Sequence, residues 1–309
     1  IGLKIGRHTF ELVLINFTGE VLARQITTHK YPTPSSTLAF IESELPTLLN
    51  TADKSIGDIS AFNLATPFEL WSWTEKIGAP NDEMAHWRSF DPVAAIGKLV
   101  PCPISVENDG TAACRAQLVF DPPKGIRDFI YFFIGTFIGG GVVLNGSVYP
   151  GRYGNAGGFG PVRVPNEQEG DRLIDHASLV VLERMVEKEG GDPLKIYATN
   201  TDWNQFGSLV DEWIQRAGRT LAQAIISTLA VIDFEMIVID GAFPKAIRER
   251  LIAEVNQQLK QQDMQGIHIP KIAAGSFGSI ARALGAASYE ISTNYMIDQN
   301  TLLHQAQEK

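Results

Sequence analysis

The segment that most constrains the fold is glycine-rich and runs from residue 129 to residue 160, FIYFFIGTFIGGGVVLNGSVYPGRYGNAGGFG. Two apolar runs flank Gly139, Gly140 and Gly141, which predicts two buried strands joined by a turn at these glycines. Backbone N–H groups without side chains can approach an anion closely, so the turn is a candidate phosphate-binding element. A purely structural turn fits the same residues, and the functional interpretation therefore depends on partners elsewhere in the chain.

The rest of the chain predicts alternating strands and helices. Residues 1–31 predict a hairpin of two strands with its turn at Thr18 and Gly19, and residues 35–52 predict a helix with an irregularity at Pro46. The later elements are predicted, in chain order, as strands at 56–65 and 102–108, a helix from Asp109, the glycine-rich hairpin, helices at 169–190 and 203–233, a strand at 235–243, a helix at 244–261, a strand at 267–275 and a helix at 279–292. Two similar α/β halves fit this order.

Composition excludes several classes of protein. The chain has 309 residues, of which 44% are hydrophobic and 20% are charged, and its formal net charge of -9 provides no basic surface for nucleic acid or anionic membrane. Two cysteines, Cys102 and Cys114, are too few for a disulfide framework or a cysteine-rich zinc site and indicate a reducing, cytoplasmic environment. The longest apolar tract, residues 129–144, is broken by glycines and is too short for a membrane span. Because the chain starts at Ile1 without a methionine, we expect that an upstream segment is absent.

Segments spread along the chain together resemble the ROK family, which groups bacterial sugar kinases with sugar-responsive repressors. These segments are GLKIGRHTFELVLINFTGEVL, VENDGTAACRA, GTFIGGGVVLNGSVYPGRYGNAGGFG, IVIDGAF and AAGSFGSIARALGAAS. The resemblance implies an α/β fold of the actin-like, hexokinase-type (ribonuclease H-like) class, with two lobes around a central cleft. We expect an N-terminal lobe over 1–107, a C-terminal lobe over 108–293 and a polar tail over 294–309.

The resemblance also implies roles for particular residues. Asp109 matches the family's catalytic aspartate, the general base that takes a proton from the sugar hydroxyl as it attacks the γ-phosphate. Asn108 would donate to sugar hydroxyls, and Gly157, Gly158 and Pro161 fall in the sugar-binding loop. The simpler alternatives are a helix N-cap for Asp109 and a turn or strand-end hydrogen bond for Asn108.

Other matches fall on the loops that hold nucleotide phosphates in family kinases. The matching residues are Gly6, Arg7, Gly135, Thr136, Gly139, Gly140, Gly141 and, near the adenosine site beside Asp240, Gly241. A strand-end turn explains Asp240 and Gly241 equally well.

The opening run departs from the kinase pattern. Family kinases begin with Asp-Ile-Gly-Gly-Thr, whereas this chain has Lys4-Ile5-Gly6-Arg7-His8. Lys4 cannot supply an oxygen ligand to magnesium, and Arg7 should fill part of the phosphate space. The alternative is that Lys4 and Arg7 themselves bind phosphate.

The sugar-binding loop departs as well. Gly158 and Pro161 replace a glutamate and a histidine that contact sugar hydroxyls in kinases, so a hexose bound in the usual way should be weakened. The cysteine-rich zinc segment of many members is missing after this loop, and we expect no metal and no zinc; His176 is interpreted as a packed or surface histidine. Trp71, Trp73 and Trp87 could stack on a sugar, although a small hydrophobic cluster holding an irregular segment is the preferred interpretation.

These departures favour the regulator branch of the family. The first hypothesis is the effector-binding and oligomerisation region of a ROK-type transcriptional regulator, which binds a sugar or sugar derivative, forms a homodimer or tetramer, and contacts DNA only through an upstream helix-turn-helix absent from this sequence. The second is an ATP-dependent sugar kinase, and ATP and magnesium are expected only in that case. The third is a sugar-binding protein with neither activity. The apolar helix at 209–232 could serve oligomerisation or simply be buried.

Overall fold

A computed structural model describes residues 1–73, 78–165, 170–198 and 201–296, with the side chain of Trp73 left out. The chain divides into two compact units, each with its own sheet. Unit 1 comprises Ile1–Pro122, Pro150–Asn155 and the C-terminal segment from Ile280, and unit 2 comprises Pro123–Tyr149 and Ala156–Ser279.

Unit 1 is built on a five-stranded mixed sheet. Its strands are β1 (Gly2–Ile5), β2 (Thr9–Ile15), β3 (Val21–Thr28), β4 (Phe62–Thr66) and β5 (Ile104–Asn108), in the order β3-β2-β1-β4-β5. The helices are α1 (Pro34–Thr51), α2 (Asn81–Ala85), α3 (Pro92–Ile96) and α4 (Asp109–Phe120), and two further helices of this unit follow unit 2 in the chain. The first three strands are antiparallel neighbours, and β4 and β5 run parallel to β1.

The first predicted strand is in fact two strands. A turn at residues 6–8 separates β1 from β2, and it is closed by a hydrogen bond from the Gly6 N–H to the Thr9 carbonyl at 3.0 Å. As a result β1 pairs with β2, and Lys4 lies directly opposite Glu11. The sequence marks this turn by Gly6 and by a change of phase, from apolar residues at Leu3 and Ile5 to Phe10 and Leu12, and the prediction of one continuous strand overlooked that change.

Unit 2 repeats this strand order. Its strands are β6 (Phe129–Ile134), β7 (Ile138–Leu144), β8 (Ser147–Tyr149), β9 (Met236–Gly241) and β10 (Lys271–Ala274), in the order β10-β9-β6-β7-β8. The helices are α5 (Ile174–Ala177), α6 (Leu179–Lys188), α7 (Ser208–Leu229) and α8 (Lys245–Leu259). Read from the β8 edge, the sheet has the same connectivity as that of unit 1, so β6, β7, β8, β9 and β10 correspond to β1, β2, β3, β4 and β5. The prediction of two similar α/β halves is confirmed.

Helix α1 shows how local sequence sets these elements. Thr33 and Ser36 form a capping box at its start, and Pro34 stands in the first turn, where a missing N–H costs no intrahelical hydrogen bond. Phe40, Ile41, Leu45 and Leu48 are among its buried residues and form one apolar stripe. The helix continues through Pro46 to Thr51.

The two C-terminal helices, α9 (Ala281–Ala287) and α10 (Tyr289–Tyr295), return to unit 1. The backbones of α4 and α9 touch, since a Cβ on Gly285 would overlap the carbonyl group of Ala112. The boundary predicted at residue 107 therefore differs from the observed division. Helix α4 belongs to unit 1 because it packs with α9 against the first sheet, not with the strands that follow it. Of the predicted tail, 294 and 295 end α10, and 297–309 lie outside the described residues.

Helix α7 is the long apolar helix predicted near residues 209–232. Its buried residues include Trp213, Ile214 and Leu221, and the helix packs against α8 within unit 2, where a Cβ on Gly218 would overlap the side chain of Glu254. Much of its apolar face is thus used inside the unit. Within the described part of the chain, no helix combines the length and apolar character needed to cross a membrane.

Candidate functional site

The predicted catalytic pair lies where β5 passes into α4. The Asn108 side-chain oxygen accepts hydrogen bonds from the backbone N–H groups of Gly110 at 2.9 Å and Thr111 at 3.2 Å. Asn108 is therefore the N-cap, as its simpler interpretation allowed, and the N-cap alternative for Asp109 was wrong. Asp109 is the first helical residue, where the positive end of the helix dipole stabilises a carboxylate.

The Asp109 carboxylate is ion-paired within unit 1. Arg282 of α9 donates from Nη1 to Asp109 Oδ2 at 3.1 Å, and the two side chains are 13% and 21% exposed. A charge-assisted bond in a partly buried place is stronger than one in water. One oxygen of the candidate general base is thus already occupied by a permanent cation.

A second charged cluster lies in the same unit, below the turn between β1 and β2. The Lys4 ammonium donates to the Thr9 hydroxyl and lies 3.7 Å from Glu11 Oε2, and both Lys4 and Glu11 are almost fully buried. Arg24 on β3 donates from Nε and Nη2 to Glu11 Oε1, each at 2.7 Å. Two cations therefore share one buried carboxylate.

The surroundings of Lys4 disfavour its charge. The pKa of the Lys4 ammonium is lowered from 10.5 to about 7, mainly by burial and next by the positive charge of Arg282, while Glu11 and Asp109 act in the opposite direction. The Lys4 side chain also covers Gly6, since a Cβ on Gly6 would lie 2.8 Å from Lys4 Cε. The space above the glycine of this turn is accordingly filled by the chain's own lysine.

The three consecutive glycines do not form the predicted turn. Gly139, Gly140 and Gly141 lie in β7, opposite Phe133, Phe132 and Tyr131 of β6. A Cβ on Gly140 would overlap the Tyr131 carbonyl and lie 2.8 Å from the ring of Phe159, so close packing explains this glycine. The prediction of a turn at these three residues was wrong, and their assignment to a phosphate-binding loop stays a prediction.

The turn of this hairpin is formed by residues 135–137. Its donors and acceptors are largely used inside unit 2: the Gly135 N–H bonds the Phe137 carbonyl at 3.2 Å, and the Ile138 N–H bonds the Ser178 hydroxyl at 3.1 Å. The carbonyls of Gly135 and Thr136 accept from Leu179 and Val180 at the start of α6. The first backbone N–H groups of helix α6 thus stabilise the turn.

The predicted sugar-binding loop packs against the glycines of β7. Gly157 has a φ of +80° and touches Gly141, because a Cβ there would lie 2.6 Å from the Gly141 Cα. Phe159 is buried and its ring centroid lies 4.3 Å from that of Phe132. Gly158 and Pro161 are exposed and present no polar side chain.

His176 is a packed residue, as predicted. Arg216 donates from Nε to His176 Nδ1 at 2.9 Å, so the ring proton is on Nε2, which lies 2.9 Å from the Gly170 carbonyl. Arg216 also donates to the Asp175 carbonyl at 3.1 Å. Both ring nitrogens therefore serve to hold this segment together. Among the described residues, no group of three or more His, Cys, Asp or Glu side chains is placed to hold a metal ion.

Asp240 forms a buried hub at the end of β9. Its carboxylate accepts hydrogen bonds from the Tyr131 hydroxyl and the Gly241 N–H at 2.8 Å and from the Gly278 N–H at 3.1 Å, and Arg248 Nη1 lies 3.0 Å away. Gly241 is closely covered by the ring of Phe243. The strand-end interpretation of Asp240 and Gly241 accounts for these contacts.

In the aromatic segment of unit 1, Trp87 has a structural role. Trp87 is buried, donates from its ring nitrogen to the Pro32 carbonyl at 3.0 Å and stacks edge-on with Phe90. This agrees with the preferred interpretation for Trp87. Residues 74–77 and the Trp73 side chain lie outside the described part of the chain.

Three arginines that the sequence analysis did not select organise these sites: Arg216, Arg248 and Arg282. Arg282 carried a usable signal, because it is the single charged residue in the run SIARALGAAS, whose other members are small or apolar. A lone cation in such a helix indicates an internal partner.

Comparison with known proteins places these sites in context. The family model described as ROK family matches residues 1–292. An uncharacterised protein, y4fQ, of Sinorhizobium fredii is 26% identical, covering 92% of this chain and 71% of y4fQ. The DNA-binding transcriptional dual regulator NagC of Escherichia coli is 23% identical, covering 92% of this chain and 75% of NagC. Several other curated relatives are matched over only 35 to 49% of their own length.

Among solved structures, the ROK family glucokinase of Streptomyces griseus, in complex with glucose and AMPPNP, is similar with a TM-score of 0.70 at 16% identity, covering 93% of this chain and 97% of the glucokinase. The likeness confirms the predicted hexokinase-type, actin-like α/β fold class. Relatives thus include both a transcriptional regulator and sugar kinases. With the family model matching nearly the whole chain, this protein belongs to the ROK family.

Proposed function

We propose that the chain is the effector-binding and oligomerisation region of a ROK-family transcriptional regulator, and that it lacks efficient kinase activity. The observation that carries the proposal is the ion pair between Asp109 and Arg282, together with the buried ammonium of Lys4, whose pKa is lowered in part by the charge of Arg282. Asp109, the candidate general base, is paired with the permanent cation Arg282. Lys4 stands where family kinases carry an acidic residue.

The chemistry of phosphoryl transfer explains why these features matter. A general base must reach the substrate hydroxyl with a free oxygen, and one oxygen of Asp109 is engaged by Arg282. Magnesium requires oxygen ligands, and Lys4 offers only an ammonium that covers Gly6. The donor set of this turn therefore does not fit a magnesium–nucleotide complex.

The regulator assignment is supported by the match to NagC over 92% of this chain and 75% of the regulator. The formal net charge of -9 makes direct DNA binding by these residues unfavourable, so DNA contact is assigned to a helix-turn-helix encoded upstream of Ile1. The effector is a sugar or sugar derivative, bound in unit 1 at Asn108 and Asp109. Assembly as a dimer or tetramer in the cytoplasm completes the proposal.

The second candidate function is an ATP-dependent sugar kinase with Asp109 as general base. It is favoured by the position of Asp109 at the start of α4 and by the similarity to the Streptomyces griseus glucokinase. In that case Asp109 would act through Oδ1, because Arg282 holds Oδ2.

One experiment separates the two candidates. The protein is incubated with ATP, magnesium and a panel of hexoses and amino sugars, and binding of the same sugars is measured by calorimetry. We expect binding of at least one carbohydrate and no turnover above that of the Asp109→Asn variant. Turnover that falls by about 10²- to 10⁴-fold in Asp109→Asn, the contribution of a general base, would establish the kinase instead. Sequencing the gene upstream of Ile1 tests the regulator directly, since a frame starting within a few codons of Ile1 would overturn it.

A further inference from the structure

The predicted sugar-binding loop is fastened to a short segment that follows it in unit 2. The Ile174 N–H donates to the Gly160 carbonyl at 3.0 Å, and the Leu173 N–H donates to the Val162 carbonyl at 2.8 Å. Both donors belong to residues 170–177, which we call the bracing segment. The position of the loop backbone at Gly160 is therefore set by the bracing segment.

The loop depends on this support because it offers no polar side chain to a ligand. Gly158 and Pro161 are exposed, and Phe159 is buried against Phe132. Polar contacts between this loop and a carbohydrate must therefore come from backbone N–H and C=O groups. A backbone group cannot adjust by rotating a side chain, so a displacement of about 1 Å is enough to lose such a contact.

The exposed ion pair at the start of the bracing segment contributes little to its position. Arg163 pairs with Asp171, and the two side chains are 70% and 67% exposed. A pair this exposed contributes at most about 1 kcal/mol, because water and salt screen the two charges. The segment is fixed instead on its buried side, where His176 has no exposed surface.

His176 and Arg216 join the bracing segment to helix α7. His176 Nε2 lies 2.9 Å from the Gly170 carbonyl, and His176 Nδ1 accepts from Arg216 Nε at 2.9 Å. Arg216 Nη2 also donates to the Asp175 carbonyl at 3.1 Å. Because a guanidinium can only donate, it selects the one neutral form of the ring that bonds both partners. Helix α7 is itself anchored in the core of unit 2 by the fully buried Trp213.

We propose that His176 and Arg216 are positioning residues for the predicted sugar-binding loop, and that this loop binds carbohydrate hydroxyls through its backbone. The two side chains act through the hydrogen bond between Ile174 and Gly160, so neither of them has to touch the ligand. The inference rests on the proposed function and deepens it, because it names residues that set the affinity of the loop for carbohydrate.

The test measures the loop and its ligand separately. Exchange of the Leu173 and Ile174 amide hydrogens reports whether the loop is fastened, and calorimetry with glucose, mannose and N-acetylglucosamine as probes reports carbohydrate binding. In Arg216→Met we expect both amides to exchange at least about tenfold faster than in the unmodified protein. The dissociation constant of any probe that the unmodified protein binds should rise at least about tenfold. His176→Leu should have the same two effects.

A conservative variant and a matched control accompany these measurements. In His176→Asn the side-chain Oδ1 takes the place of Nδ1 and still accepts from Arg216, so exchange and affinity should lie closer to those of the unmodified protein than those of His176→Leu do. The control is Arg184→Met, which removes an exposed arginine of the same unit and should change neither quantity. Circular dichroism and the melting temperature verify that each variant is folded.

Two results on exchange would overturn the inference. The first is that the Leu173 and Ile174 amides of the unmodified protein exchange as fast as unprotected amides, which needs no variant. The second is equal exchange in Arg216→Met and Arg184→Met. Probe binding that Arg216→Met leaves unchanged would overturn the positioning role and leave the proposed function standing. If the unmodified protein binds none of the probes, the proposed function loses its support, and the exchange data alone then decide whether the pair holds the loop.

Discussion

The buried ammonium of Lys4 makes a quantitative prediction about stability and pH. Its pKa is about 7 in the folded protein and 10.5 when exposed, so between these values the unfolded chain binds more protons and stability rises with pH. With one pKa unit worth about 1.4 kcal/mol, the gain from pH 7 to pH 9 is about 2 kcal/mol, because at pH 7 half of the folded molecules are still protonated. Below pH 7 the folded protein is destabilised by the full free-energy cost of burying the charged Lys4 ammonium.

The perturbation that isolates this effect is Lys4→Met, which keeps the length of the side chain and leaves Glu11 paired with Arg24. The free energy of unfolding is measured in urea at pH 7 and pH 9, and exchange of the amide hydrogens in β1 and β2 reports the opening of unit 1 alone. The stability difference, unmodified protein minus variant, should rise by about 2 kcal/mol from pH 7 to pH 9. Other titrating groups cancel in this difference.

The matched control is Lys98→Met, which removes an exposed lysine of the same unit and should show no such change. A difference between the unmodified protein and Lys4→Met that is the same at both pH values would refute the reasoning. It would mean that Lys4 keeps an ordinary pKa.

Three further predictions follow from packing and pairing. Gly140→Ala should lower the free energy of unfolding by more than about 3 kcal/mol, because there is no space for its Cβ. Gly139→Ala should change it by less than about 1 kcal/mol, because its Cβ would meet nothing within 4 Å. Equal effects of the two variants in urea melts would contradict this prediction. Arg248→Leu leaves the buried carboxylate of Asp240 without its cation and should lower the free energy of unfolding by about 3 to 5 kcal/mol. Adding Asp240→Asn should recover part of that loss, and additive losses in the double variant would argue against the ion pair. Asn108→Ala removes a helix cap and should cost about 1 kcal/mol, while Asn108→Ser should restore most of it in thermal melts.

The sequence revealed the order of elements because that order depends on local patterns. Apolar alternation located most of the strands, and polar caps such as Thr33 located helix starts. The glycines of β7 were wrongly predicted to form a turn because glycine occurs both in turns and where two segments pack closely. In the structure the close approach of Phe159 and Gly157 shows that packing explains these glycines. The turn at residues 6–8 was missed because its only strong sequence signal is Gly6, and the change of apolar phase between Ile5 and Phe10 was read as part of one strand.

The position of Asp109 followed from the family resemblance, but its partner did not. Arg282 is 173 residues away in sequence, and the two meet only because α9 packs back onto α4 through Gly285 and Ala112. Similarly, the partial neutralisation of Lys4 arises from burial and from that same distant arginine. Contacts of this kind depend on tertiary packing, which single-sequence patterns do not encode.

The shared connectivity of the two sheets provides an internal comparison for the charged pair. Counting back from the last paired residues of each hairpin, Lys4 and Glu11 of the first correspond to Phe133 and Gly139 of the second. The same chain thus builds the same type of hairpin once with two buried charges and once with a phenylalanine opposite a glycine. Since the second hairpin forms without charge at these positions, strand pairing does not itself require the lysine and the glutamate.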